Sequence, residues 1–280
     1  MYPIINIRTY TKGDSFHPIY NMNKENIQEA LSKYKNHLKA SGVVTTEETE
    51  KGIRCVLFDM DGVLYNSMPN HAIAWTKCMR QFGIRMTTED AYATEGARGI
   101  DTIRDFAGRQ LNKNLTPEEA QKIYDVKTDY FHQLPTATIF AGVIDLMRKI
   151  KVSGVTIGVV TGSGQRPLIK RLLHDFGEFF DEKHIVTAYD VTRGKPYPDP
   201  YQMGLRKCGN CQPWQGIVIE NAPLGVRSGV AANIFTVAVN SGPLPDSALT
   251  KEGANLIYKK MTQFCDDWDI LVDDFKRIKP

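Results

Sequence analysis

Long hydrophobic runs are missing from this sequence. No stretch approaches the roughly 18 apolar residues that span a bilayer, so no membrane partner is expected. Charge of one sign is scarce too. The formal net charge is +3, too mild for the basic stripe of a nucleic-acid binder. The opening residues, MYPIINIRTY, have no basic stretch leading into an apolar one, so secretion is not expected and a cytoplasmic location is. Cysteine is sparse: Cys55, Cys78, Cys208, Cys211 and Cys265 make an odd count, which suits reduced thiols. Cys208 and Cys211 form a CxxC, but no second pair or histidine cluster completes a tetrahedral metal site, which favours a plain turn. What remains is an ordinary globular composition, 42% hydrophobic and 24% charged. At about 150 residues per domain, the 280 residues make one large domain or two small ones, and a monomer is slightly favoured.

Residues 1–51 read as an N-terminal extension. Within it, Ile27, Leu31, Tyr34 and Leu38 give Asn23–Ala40 one apolar helical face, which suits a helix packed on the body. TTEETEK then reads as a polar linker. From Ile53 the pattern changes to short β-forming runs: IRCVLF, VTIGVV, HIVTAY (His184–Tyr189), GIVIE and IFTVAV. Helical segments separate the later runs, at Gly142–Lys151, Gln165–Phe176, Pro200–Cys208 and Leu224–Ala232. Strands alternating with helices predict an α/β fold, a Rossmann-like doubly wound parallel sheet. Residues 68–138 break the rule, carrying four amphipathic segments and no strand: Asn70–Phe82, Thr88–Thr94, Asp101–Gln110 and Thr116–Gln133. That block is too long for a loop and is expected to be an inserted helical cap, with 52–67 and 139–280 forming the core.

In open parallel sheets ligands sit outside the carboxyl ends of the strands. There the sequence places Asp59-Met60-Asp61-Gly62, Thr161-Gly162-Ser163-Gly164, Gly194-Lys195-Pro196 and Glu220-Asn221. Singly these are weak signals: a DxDG is a common turn, and an acid–amide pair can cap a helix. Jointly they suit phosphoryl transfer. Asp59 can attack phosphorus, and Asp61 can serve as acid and then base. Thr161 and the backbone of Gly162 and Ser163 can cradle phosphoryl oxygens. Lys195 can neutralise charge, and carboxylates with carbonyls and water suit Mg²⁺. The expected partner is a small phosphorylated substrate.

FDMDGVLYNS, VVTGS, GKPYPDPY and VIENAPLGV together resemble the four motifs of the haloacid dehalogenase superfamily. The helical insert is similar to the cap of its β-phosphoglucomutase-like subgroup. The resemblance implies Asp59 as nucleophile, Asp61 as acid/base, and Mg²⁺ held by the Asp59 carboxylate, the Asp61 backbone carbonyl and the acid after the fourth strand. At that last place the subgroup commonly has Glu-Asp and this chain has Glu220-Asn221, so Glu220 or the cap residue Glu95 is expected to compensate. The pair Glu95 and Asn221 resembles the branch that includes an inorganic pyrophosphatase. The cap arginine of the mutases would fall at Gly99, with Arg98 one residue away, while His71 and Lys127 match other positions lining the mutase site. A hydrolase, with pyrophosphate as a candidate substrate, is therefore the first expectation and a β-phosphoglucomutase the second. A dehalogenase has less need of Asp61, and a non-catalytic role for the N-terminal extension is set against an intact set of motif residues.

Overall fold

The computed structural model describes residues 18–43, 52–163 and 166–276. Residues 1–17, the TTEETEK linker and Gly164 lie outside the described residues. Six parallel strands form one sheet: β1 (Cys55–Phe58), β2 (Thr156–Val160), β3 (Ile185–Val186), β4 (Gly216–Glu220), β5 (Phe235–Val239) and β6 (Leu256–Tyr258). Their order is β3-β2-β1-β4-β5-β6. The chain moves left from β1 to β2 and β3, then returns to the right of β1 with β4. The carboxyl ends of β2, β1 and β4 therefore flank the switch point, where such sheets bind ligands.

The two-residue period of β1 explains how both faces are covered. Val56 and Phe58 point into a large apolar cluster shared with α1 (Pro18–Ala40), α6 (Val143–Val152), α7 (Arg166–Phe176) and α11 (Met261–Lys276). Cys55 and Leu57 point the other way, onto α8 (Asp199–Lys207), with Tyr201 and Leu205. Buried on both sides, the strand is apolar throughout, as a central parallel strand must be. α9 (Pro223–Ala231) and α10 (Asp246–Thr250) complete the described core.

α1 is built into this core. Ile27, Leu31, Tyr34 and Leu38 all belong to the main cluster, and the Tyr34 hydroxyl donates to the Asn233 carbonyl at 2.8 Å. The CxxC is a turn. Gly209 and Asn210 take positive φ after α8, and the Cys211 thiol donates to the Cys208 carbonyl. HIVTAY yields only the two residues of β3, because the next residue, Thr187, turns away: its N–H and hydroxyl both bond Asp190. No described helix is long and apolar enough to cross a membrane.

Between β1 and α6 the chain forms α2 (Met68–Gln81), α3 (Thr88–Ala93), α4 (Gly99–Leu111) and α5 (Pro117–His132). These helices bury a second apolar cluster of their own, including Trp75, Met79, Ile103, Phe106 and Ile123. Capping boxes at Thr87/Asp90 and Thr116/Glu119 start α3 and α5 by satisfying otherwise orphaned N–H groups. Two connectors join the block to the sheet and run side by side. Asn66 N–H bonds the Thr138 carbonyl, and Phe140 N–H bonds the Leu64 carbonyl. Arg171 of α7 touches both, stacking on the Tyr65 ring at 4.2 Å and donating to the Ala137 carbonyl.

Candidate active site

Asp59 directly follows β1, its N–H still bonded to the Ile219 carbonyl of β4. The chain then turns at Gly62, with φ of +86°. A β-carbon there would lie 2.0 Å from Asn221 Nδ2. Only glycine lets the loop after β1 close against the loop after β4. Buried Lys195, from the segment between β3 and α8, spends its ammonium on Asp59 Oδ1 (2.5 Å), Glu220 Oε1 (2.6 Å) and the Val160 carbonyl (3.1 Å). Burial works against its charge, yet Asp59 and Glu220 outweigh that and raise Lys195 above the ordinary lysine range. One ammonium shared by two carboxylates leaves a net negative charge in a dry place. Accordingly, burial pushes the Asp59 carboxyl up to about 8, with Glu220 and Asp61 adding to the push against the pull of Lys195.

Asp61 is held differently. Its Oδ1 accepts the Ser67 hydroxyl at 2.6 Å, and His71 Nε2 lies 3.1 Å away, within ion-pair distance. Burial alone would raise Asp61, but His71, Ser67 and Lys127 hold it down at about 2, in the form that accepts a proton. His71 Nδ1 is 2.7 Å from Lys127 Nζ, so that nitrogen accepts and Nε2 carries the proton toward Asp61. Burial and the neighbouring Lys127 both lower His71, which suits a neutral imidazole. Lys127 is itself sunk among Trp75, Phe131 and Tyr124, at 5.1, 5.1 and 5.6 Å from their ring centres. Burial lowers it to about 8.

The inserted helices and the loops of the sheet meet over these groups. Asp61, His71, Glu95, Lys127, Gly162 and Ser163 line a small cavity of about 40 Å³. Half-buried Glu95 is raised well above the usual carboxylate range, by burial first and then by Asp61 and Asp59. Thr161 is buried, continues the β2–β3 ladder through Val186, and accepts the Ser163 N–H at 3.0 Å.

Two expected ligands are engaged by other groups. Glu220 was a candidate metal ligand, but its Oε1 takes Lys195 and Tyr201, and its Oε2 takes the N–H groups of Asn221 and Ala222. Its acceptor capacity is spent on holding Lys195. Arg98 was a candidate phosphate ligand, but its guanidinium is bidentate on Asp101. It lines an adjoining cleft with Arg193, Lys195 and Tyr197, which shares Thr94, Ala97 and Thr102 with that cavity. As α4 starts just after Arg98, the side chain pairs three residues on along its own helix. Sequence reasoning missed Ser67, although a hydroxyl just before a helix and six residues after Asp61 was a usable signal. It also missed Tyr201 and the aromatic cage of Lys127, which only tertiary packing assembles.

The fit to Mg²⁺ rests on two buried oxygens with no hydrogen-bond partner, Asp59 Oδ2 and Asn221 Oδ1. Both are hard oxygen donors, and a cation there would offset the surplus negative charge. No group of three His, Cys, Asp or Glu side chains is arranged around a metal among the described residues. The set that fits is one carboxylate and one amide oxygen, joined in the family pattern by the Asp61 backbone carbonyl, with water completing the shell.

Residues 56–239 match the model of the haloacid dehalogenase-like hydrolases. The chain belongs to that family. Among these hydrolases, hexitol phosphatase A of Escherichia coli is 32% identical over 68% of this chain and 85% of its own. Pyrophosphatase PpaX of Oceanobacillus iheyensis is 25% identical over 67% and 83%. A solved Bacteroides vulgatus structure with a provisional β-phosphoglucomutase name is 44% identical, covering 90% of this chain and 99% of that one at a TM-score of 0.83. The α/β core and its inserted helices are thus a haloacid dehalogenase-like fold of the phosphatase and phosphoglucomutase-like kind.

Proposed function

We propose that this hydrolase cleaves a small phosphorylated compound through an aspartyl-phosphate on Asp59, with Mg²⁺ bound, and that inorganic pyrophosphate is its preferred substrate. The observation that carries the choice is the cavity wall, where Glu95 faces the catalytic carboxylates and, among the described residues, no arginine does. A distal sugar phosphate needs a guanidinium fork or its equivalent, and Arg98 is committed to Asp101 outside the cavity.

Asp59 displaces the leaving oxygen from phosphorus, and Asp61, ionised at rest, relays to that oxygen a proton brought in by the protonated substrate. Asp61 then withdraws a proton from water, and the resulting hydroxide releases phosphate and restores the Asp59 carboxylate. Thr161, the Gly162–Ser163 backbone and Lys195 hold the phosphoryl oxygens and their charge. Mg²⁺, held by Asp59, Asn221 and the Asp61 carbonyl with Glu95 close by, would neutralise phosphoryl charge and orient the substrate.

Steady-state kinetics over pyrophosphate, glycerol phosphates, hexitol phosphates and β-glucose 1-phosphate test the reading. Pyrophosphate should give the highest kcat/KM, and Asp59→Asn should give no turnover. A hexose phosphate that surpasses pyrophosphate, with Glu95→Ala affecting neither, sinks the substrate assignment. The contact between His71 and Lys127 favours a second reading, β-phosphoglucomutase. Conversion of β-glucose 1-phosphate to glucose 6-phosphate in the presence of a bisphosphate primer would establish it.

A further inference from the structure

Tyr201 has no place in the chemistry above, yet it sits fully buried on the first turn of α8, six residues after Lys195. Its hydroxyl donates to Glu220 Oε1 at 2.7 Å, the oxygen that also takes Lys195 Nζ at 2.6 Å. We propose that Tyr201 is a positioning residue: its hydroxyl shares the Glu220 charge and so sets how Lys195 divides between Glu220 and Asp59.

Glu220 cannot adjust its own place. The N–H groups of Asn221 and Ala222 pin Oε2 at 2.9 and 3.3 Å. On the other side, a β-carbon on Gly225 would lie only 1.9 Å from Oε1, so the helix backbone itself abuts the carboxylate. Lys195 is the movable partner, on a flexible stem, with its three protons spread over Asp59, Glu220 and the Val160 carbonyl. Short charge-assisted bonds of this kind are strong and compete directly. Without the tyrosine hydroxyl, Lys195 becomes the only side-chain donor left to Glu220 Oε1 and is drawn toward it. Asp59 Oδ1 is then held less firmly. Fewer Asp59 orientations are then aligned for attack. The effect falls on turnover rather than on substrate affinity.

This inference rests on Asp59 being the nucleophile, and Asp59→Asn tests that separately. Tyr201→Phe isolates the hydroxyl, because it keeps the ring whose centre lies 5.1 Å from Lys195 Nζ. With pyrophosphate and with p-nitrophenyl phosphate, Tyr201→Phe should lower kcat about tenfold, within the usual range for groups that orient an active-site residue. KM should stay within about twofold, and circular dichroism at the assay temperature should show the variant fully folded even where its melting temperature falls. In a Glu220→Gln background, read by single-turnover rates, the same change should cost less than about twofold, since the two act through one contact. A kcat within twofold of the parent, a loss confined to KM, a loss matching a drop in folded protein, or a full tenfold loss on top of Glu220→Gln each overturns the proposal. If Tyr201→Phe is silent while Asp59→Asn is inactive, only the role of Tyr201 fails. If Asp59→Asn stays active, the mechanism itself fails.

Discussion

A β-carbon on Gly162 would lie 2.9 Å from the carbonyl oxygen of Gly96, so the core loop after β2 and the acidic cap loop meet backbone to backbone. The same fit recurs at two more core glycines. A β-carbon on Gly194 would press on the Arg98 stem at 2.8 Å, and one on Gly242 on the Tyr92 ring at 2.7 Å. The cap is seated on positions where the core has no side chain.

Gly242→Ala should therefore impede closure without touching a reacting group. A severalfold fall in kcat/KM is expected, and Tyr92→Ala in the same chain should restore part of it by removing the clash. Unchanged kinetics for Gly242→Ala would show that catalysis does not need this seat.

Glu95 is tested through the metal requirement. Glu95→Gln keeps the shape and removes the charge, so the Mg²⁺ concentration giving half-maximal rate should rise about tenfold. Excess EDTA should abolish activity and added Mg²⁺ should restore it. An unaltered Mg²⁺ titration would place Glu95 outside the metal's influence.

Lys127 exchanges stability for function. Burial lowers it to about 8 from 10.5, so the folded state gives up this proton more readily than the unfolded state. That costs stability below about pH 8, and the cost fades as pH rises toward 10.5. Lys127→Met should thus raise the melting temperature near pH 7 by about 2–4 °C, or about 1 kcal/mol. The gain should shrink by pH 10, while turnover falls because His71 loses its partner. A melting temperature lowered at pH 7 would contradict this.

The integration of α1 predicts a large stability effect far from the catalytic groups. Leu31 is buried in the main cluster, so Leu31→Ala should cost about 2–5 kcal/mol in urea unfolding. A loss below about 0.5 kcal/mol would mean that the helix only rests on the surface.

The five apolar runs after Ile53 gave the sheet, because strands buried on both faces have little freedom in composition. GIVIE coincides with β4 to the residue. HIVTAY overran, since nothing in its apolar content reveals that Thr187 prefers Asp190 to a neighbouring strand. β6, three half-buried residues, has too little pattern to stand out. At the site, Asp59, Asp61, Thr161 and Lys195 were legible because each follows a strand whose end must lie at one rim. The direction of Arg98 and the saturation of Glu220 were not, since both depend on which nearby group wins a hydrogen bond.

The paired connectors have one more consequence. Arg171 grips both, through the Tyr65 ring and the Ala137 carbonyl, and the Tyr65 hydroxyl is tied to Asp175 at 2.8 Å. Two cords fastened to one post allow a lid to tip but resist its spinning. Any lifting of the helical block would therefore carry Glu95 and Lys127 away from the carboxylates along one arc rather than with a twist.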